Sequence, residues 1–325
     1  MGDVSAGRTI ALVFPGQGSQ TVGMGRAVRD AFPEARAVYD AADRALGFPL
    51  SAACFDGPEE TLRLTATTQP AILTTSLALL QALRARFPDL DARVACAAGH
   101  SLGEYSALVA AGALPLEEAV RVVRRRGEYM QEAVPVGEGG MAAVLGAPLE
   151  AVEAMCREAA EGEVLSPANL NAPDQTVVAG HASAVRRLPP IAKRLGARRV
   201  VDLPVSAPFH CALMRPARER LAPDLAALPL EDARFPVVTN VSAAPEREAD
   251  RFRATLEEQV TAPVRWVETV RRIAALGAAT LVEVGPGKVL TGLAKRIAPE
   301  LTLLNVEDPA SIDAVAASLR AGAAR

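Results

Sequence analysis

Aromatic residues are scarce in this 325-residue chain, 4% in all with a single Trp, which argues against a platform of stacked rings for single-stranded nucleic acid. Neither sign of charge dominates. There are 35 Lys and Arg against 38 Asp and Glu, a formal net charge of −3, so the chain is not a bulk polycation and no nucleic-acid partner is expected. Cys54, Cys96, Cys156 and Cys211 are far apart and form no C-x-x-C pair. No metal site is therefore expected, and a reducing cytoplasm is the expected location. No apolar run reaches the roughly 18 residues of a membrane span, and the run at 10–14 is too short for the core of a secretion signal. Histidine is limited to His100, His181 and His210, so imidazole chemistry has three candidates. Half of the residues are hydrophobic and 22% are charged, the balance of a globular protein with one large domain or two ordinary ones.

Short apolar runs alternate with helix-like stretches, the pattern of an α/β fold with a mostly parallel sheet. Residues 9–14 and 94–98 read as strands, the first continuously apolar and so buried on both faces. Helices are expected over 26–46, 58–62, 69–86, 101–111 and 116–131. After the turn-prone GEGG at 137–140 the order becomes strand 141–145, helix 149–160, strands 164–169 and 175–179, helix 182–195 and strand 198–203. That βαββαβ order is the ferredoxin-like unit, although Pro189 and Pro190 should break or kink its second helix. Strands at 237–241 and 280–284 and helices at 248–259 and 264–276 then resume the first pattern. The expected organisation is a discontinuous core, 1–134 and 204–325, with a small unit inserted at 135–203.

The chemistry concentrates at Gly99-His100-Ser101-Leu102-Gly103, a G-x-S-x-G between a buried strand and a helix. In that setting it reads as a nucleophile elbow, with Ser101 on a sharp turn and helix N–H groups beside it for an oxyanion. A serine nucleophile needs a base. His100 adjoins Ser101 and diverges from it, His181 reads as a surface residue, and His210 lies in an irregular loop after Ser101 in chain order, which makes it the expected base. Asp174, Asp202 or a backbone carbonyl could orient its ring. The loop FPGQGSQ at 14–20 fits neither nucleotide fingerprint, because the third Gly of G-x-G-x-x-G falls at Thr21 and no G-K-[ST] follows. The backbone N–H of Gln17 can serve there as a second oxyanion donor. Arg124, Arg125 and Arg126 are each able to bind a carboxylate, and spacing does not choose among them.

Six motifs stand in one order: FPGQGSQ (14–20), GHSLGE (99–104), RGEYMQEA (126–133), ANLNAPDQTVVAG (168–180), PVSAPFHCALM (204–214) and VEVGPGKVL (282–290). Together they resemble the malonyl-CoA:acyl carrier protein transacylases of fatty acid synthesis and the related acyltransferase domains of polyketide synthases, over nearly the whole chain. The resemblance implies an α/β-hydrolase-like core with a ferredoxin-like insert. It implies Ser101 as acylated nucleophile, His210 as base, the N–H groups of Gln17 and Leu102 as oxyanion hole, Arg126 as carboxylate binder and the Gln259 carbonyl as the group that orients His210. Phe209 and Leu102 resemble the malonyl-selective pattern of the polyketide branch, in which the aromatic ring crowds an α-methyl group. The reaction implied is malonyl transfer from malonyl-CoA to the phosphopantetheine thiol of an acyl carrier protein, with no cofactor and with a monomer as the expected state. The competing activities are a trans-acting polyketide acyltransferase, a serine acyl hydrolase and a non-enzymatic binding module. A run without acids that holds Arg186, Arg187, Lys193, Arg194, Arg198 and Arg199 is the expected docking surface for an acidic carrier.

Overall fold

The computed structural model describes residues 9–205 and 207–323. The first eight and last two residues of the expected core, and Ser206 of its loop motif, lie outside them. Ten strands follow one another: β1 (Ile10–Phe14), β2 (Val94–Gly99), β3 (Gly139–Leu145), β4 (Leu165–Ala172), β5 (Gln175–His181), β6 (Arg199–Asp202), β7 (Val237–Val238), β8 (Pro245–Glu246), β9 (Thr280–Val284) and β10 (Thr302–Val306). They form two sheets. One has the order β10-β9-β1-β2-β7-β8, parallel except at the β7–β8 edge. The other, β4-β5-β3-β6, is antiparallel throughout. The protein is thus a mixed α/β fold with a parallel-rich sheet and a separate antiparallel one.

The run Ile-Ala-Leu-Val-Phe of β1 is buried at every position, as a strand covered on both faces must be. Helix Thr65–Arg86 is buried nearly all round and occupies the core beside it. Helix Leu116–Glu132 is amphipathic, and its buried stripe runs through Ala119, Val122, Val123, Arg126, Gly127 and Met130. A Cβ on Gly127 would stand 2.7 Å from the backbone of Thr65 and Ala66. Glycine there lets the two helices approach, which carries Arg126 inward.

Four expectations need correction. The helix expected over 26–46 is two, Arg26–Ala31 and Pro33–Leu46. Phe32 is extended (φ −126°, ψ 118°) because a residue before proline is pushed out of the α region. Pro189 and Pro190 do not break their helix, which runs unbroken over Ala182–Arg194. Both lie on its exposed side while Ala184, Val185, Leu188 and Ala192 hold the opposite side to the sheet. The helix expected from 101 begins at Gly103, since Ser101 takes a positive φ of 53°. The strand expected over 237–241 ends at Val238, and Asn240 turns into the site. Strand β10 and the helices Leu50–Asp56, Arg215–Ala227, Val289–Ile297 and Pro309–Ala323 were not anticipated.

Candidate active site

The segments that leave the carboxyl ends of β1, β2 and β7 converge, where ligands bind in open α/β sheets. Gly99 and Gly103 bracket the turn that carries Ser101. A Cβ on Gly99 would fall 1.9 Å from the Gly103 carbonyl group, and one on Gly103 would fall 2.2 Å from the Phe14 oxygen, so only glycine lets strand, turn and helix pack this closely. Ser101 and His210 are two of the four non-glycine residues with positive φ among the described residues. Such strain costs roughly 1–3 kcal/mol per residue and collects at functional sites.

Ser101 Oγ lies 2.7 Å from His210 Nε2. His210 Nδ1 lies 2.9 Å from the Gln259 carbonyl oxygen. A carbonyl only accepts, so Nδ1 carries the proton and Nε2 presents its lone pair to the serine hydroxyl. Gln259 ends helix Ala249–Gln259, where carbonyls lack helical partners and the helix dipole is negative. Asp174 pairs with Arg296 at the surface and Asp202 is exposed at the end of β6. Neither reaches His210. The ring is only 3% exposed. Burial first, and the charge of Arg126 second, push its pKa down to about 3, so at neutral pH the imidazole is neutral and its Nε2 lone pair is free to face the serine hydroxyl.

The three arginines separate cleanly. Arg124 pairs with Glu128 at 2.7 Å and Arg125 with Asp224 at 2.6 Å, whereas Arg126 is 1% exposed. Its Nη2 donates to Ser101 Oγ at 3.1 Å and to Gln259 Oε1 at 2.9 Å, and its Nη1 donates to Gln69 Oε1 at 2.8 Å. The ring of Tyr105 lies 5.7 Å from the guanidinium carbon. All three hydrogen-bond partners are neutral, and the nearest acid, Glu104, acts on it only across Gln259, so an anion in the cleft finds a guanidinium with no paired carboxylate beside the nucleophile. Gln17, Leu102, Phe209 and Met130 line the same cleft. The backbone N–H groups of Gln17 and Leu102 donate to no group within the protein among the described residues.

His100 is partly buried, bonds Asn171 Oδ1 at 2.9 Å and stacks obliquely near Trp266. His181 accepts the Val164 N–H. Both have structural partners. The expected docking run lies mostly on helix Ala182–Arg194. Its helix packs on Ala142, Val144 and Val178, the sheet face opposite Met141 and Ala143, which line the clefts at the site. Two of its six cations have acidic partners, Arg187 with Glu163 and Glu161 and Arg194 with Glu158, and Arg186, Lys193 and Arg198 make no ion pair among the described residues. Arg199 shares the strand face of Val201 and Leu203 toward the cleft and makes no ion pair among the described residues.

Gln69, Glu104, Asn169, Asn171 and Asn240 are polar residues at the site to which the sequence reading gives no role. Glu104 carried a signal, since an acid within an otherwise apolar helix start needs buried partners. Arg126 did too. It falls on the helical stripe of Val123 and Met130, and Arg124 and Arg125 do not. Among the described residues no cluster of His, Cys, Asp and Glu could hold a metal ion.

A nucleophilic side chain, a neutral imidazole and a buried guanidinium at the carboxyl edge of a parallel sheet define an α/β enzyme built for serine chemistry on a substrate that carries an anion. Comparison narrows the class. Residues 11–315 match the family described as "Acyl transferase domain", and the chain belongs to that family. It is 47% identical over 304 residues to the malonyl CoA-acyl carrier protein transacylase of Escherichia coli K12, covering 94% of this chain and 97% of that protein. The structure of the corresponding enzyme from Coxiella burnetii superposes with a TM-score of 0.92 at 43% identity, over 96% and 98% of the two chains. A complex described as a type II polyketide acyl-carrier protein with its malonyl-transacylase matches with a TM-score of 0.91 at 44% identity, over 95% and 99%.

Proposed function

We propose that this chain moves a malonyl group from malonyl-CoA to the phosphopantetheine thiol of an acyl carrier protein by way of an ester on Ser101. The observation that carries this reading is Arg126, a buried cation with neutral partners 3.1 Å from Ser101 Oγ. Ser101 Oγ attacks the thioester carbonyl carbon while its proton passes to His210 Nε2. The N–H groups of Gln17 and Leu102 receive the oxyanion. Collapse breaks the C–S bond, and His210 returns the proton to the departing coenzyme A sulfur. In the second half His210 takes the proton of the carrier thiol, the sulfur attacks the ester, and Ser101 leaves reprotonated. No cofactor enters either half.

Incubation with malonyl-CoA followed by intact-protein mass spectrometry tests this directly. A malonyl adduct forms on the wild type, is absent from Ser101→Ala, and moves to holo carrier protein when that is added. Release of free malonate with neither adduct nor malonyl-carrier would identify a hydrolase instead. Fatty acid synthesis is the setting assigned here. The polyketide complex cited above favours a second reading, the same reaction on a polyketide carrier, and relative rates with the two carriers decide between them. A cytoplasmic monomer completes the proposal; the four buried, free cysteines suit a reducing compartment, and size-exclusion chromatography reads the oligomeric state.

Phe209 is buried against the cleft beside His210, where its ring leaves little room for a branch on the acyl chain. Phe209→Ala is expected to raise the methylmalonyl-to-malonyl ratio of kcat/KM about 10- to 200-fold, the range for one methyl-sized misfit in a pocket. An unchanged ratio would remove Phe209 from the selectivity account.

A further inference from the structure

Glu104 is a carboxylate with no exposed surface on the first turn of helix Gly103–Ala110. One of its oxygens, Oε2, accepts both the Asn240 backbone N–H at 2.8 Å and Gln259 Nε2–H at 2.9 Å. The other, Oε1, has no hydrogen-bond partner among the described residues. We propose that Glu104 is a positioning residue for the transfer reaction: by accepting two bonds on one oxygen, it holds Gln259 and Asn240 in the orientations that align Arg126, His210 and Ser101.

The two ends of the Gln259 amide meet different partners. Its Nε2 donates to Glu104 and to the Ser101 carbonyl at 3.1 Å, so its Oε1 faces Arg126 Nη2. A flipped amide would set its NH2 against the guanidinium and its oxygen against two acceptors. Glu104 therefore decides which end meets Arg126. The backbone carbonyl of the same Gln259 holds His210 Nδ1–H. Asn240 forms the second arm. With its N–H on Glu104, it accepts the Ser101 N–H on Oδ1 at 2.8 Å and donates Nδ2–H to the Gly99 carbonyl at 2.7 Å, spanning the elbow on both sides of the nucleophile.

Reach, more than charge, is what this arrangement needs. Among the described residues Glu104 makes no ion pair, Arg126 being the cation whose field it feels across Gln259. Burial pushes its pKa up to about 7. The unpartnered Oε1 is the atom free to take a proton, and Oε2 goes on accepting.

Two variants separate reach from charge. Glu104→Gln keeps an oxygen for both donors and removes the charge. Glu104→Asp keeps the charge and withdraws the carboxylate by one methylene. The inference rests on the malonyl-transfer reading, whose own failure would appear as absence of transfer by the unaltered enzyme. With melting temperatures of both variants near wild type, kcat of Glu104→Gln is expected to stay within about threefold of wild type for malonyl-CoA and acetyl-CoA. That of Glu104→Asp is expected to fall about 10- to 100-fold for both, the scale of an ångström-sized misplacement. The malonyl preference of the Asp variant falls as well, because Gln259 no longer presents its oxygen to Arg126. Wild-type activity in Glu104→Asp, or equal losses in the two variants, would overturn the proposal.

Discussion

His210→Ala is expected to lower kcat/KM for malonyl transfer about 10²- to 10⁴-fold, the usual contribution of a positioned general base, with the fold intact. Ser101 would keep its contact with Arg126 and lose the acceptor of its proton. The pH dependence carries more information than the drop itself. An imidazole at its ordinary pKa would give the free enzyme an acid limb near 6.5. Burial and the neighbouring Arg126 charge place His210 at about 3. Lowering the pH through 6.5 therefore leaves His210 neutral, and kcat/KM keeps its value there. A bound malonyl carboxylate cancels part of the Arg126 charge that holds the imidazole down, so its pKa rises in the enzyme–substrate complex. The acid limb of kcat, which reports that complex, should consequently lie at higher pH for malonyl-CoA than for acetyl-CoA. A limb in kcat/KM near 6.5 that vanishes in His210→Gln would contradict the burial argument.

Arg126→Ala should cost malonyl transfer roughly 30- to 1000-fold in kcat/KM, about 2–4 kcal/mol, from the loss of charge-assisted hydrogen bonds to a desolvated carboxylate. Acetyl-CoA brings no carboxylate, and its transfer should fall little or improve. Two opposing effects act on it. Removing the guanidinium strands Gln69 Oε1 and Gln259 Oε1 without a donor, and it also lifts the charge that depresses His210. Selectivity collapses in either case. The measurement is kcat/KM for both thioesters in wild type and variant. Equal losses would mean that Arg126 braces the site without reading the carboxylate. Arg124 and Arg125 are poor substitutes for that role, each being turned away to an acidic partner.

The α/β class, the strand at Ile10–Phe14 and the βαββαβ order of the four-stranded sheet were all legible from apolar periodicity and turn residues. Periodicity was a poorer guide wherever tertiary contacts outweighed it. The two prolines of Ala182–Arg194 cost two helical hydrogen bonds, yet four buried side chains on the other side keep that helix whole. Strand β7 stops after two residues because Asn240 is needed, not in the sheet, but across the elbow.

By itself the sequence determined what is local. A glycine on each side of Ser101, between a buried strand and a helix start, forces a sharp turn, because a Cβ at either position would collide with neighbouring backbone. Which of the three arginines at 124–126 turns inward was not decided locally: only the packing of helix Leu116–Glu132 buries Arg126 and leaves Arg124 and Arg125 to acidic partners. Only the tertiary structure decided what meets what. His210 and Gln259 are 49 residues apart, Arg126 and Gln259 are 133 apart, and Asn240 and Ser101 are 139 apart. The same holds for Arg187 and Arg194 of the basic run at 186–199, whose acidic partners arrive from the preceding helix and turn. Hydrogen bonds and ion pairs form between groups that packing brings within about 3 Å, and periodicity of 2 or 3.6 residues says which face of an element is buried without saying which distant side chain will lie against it.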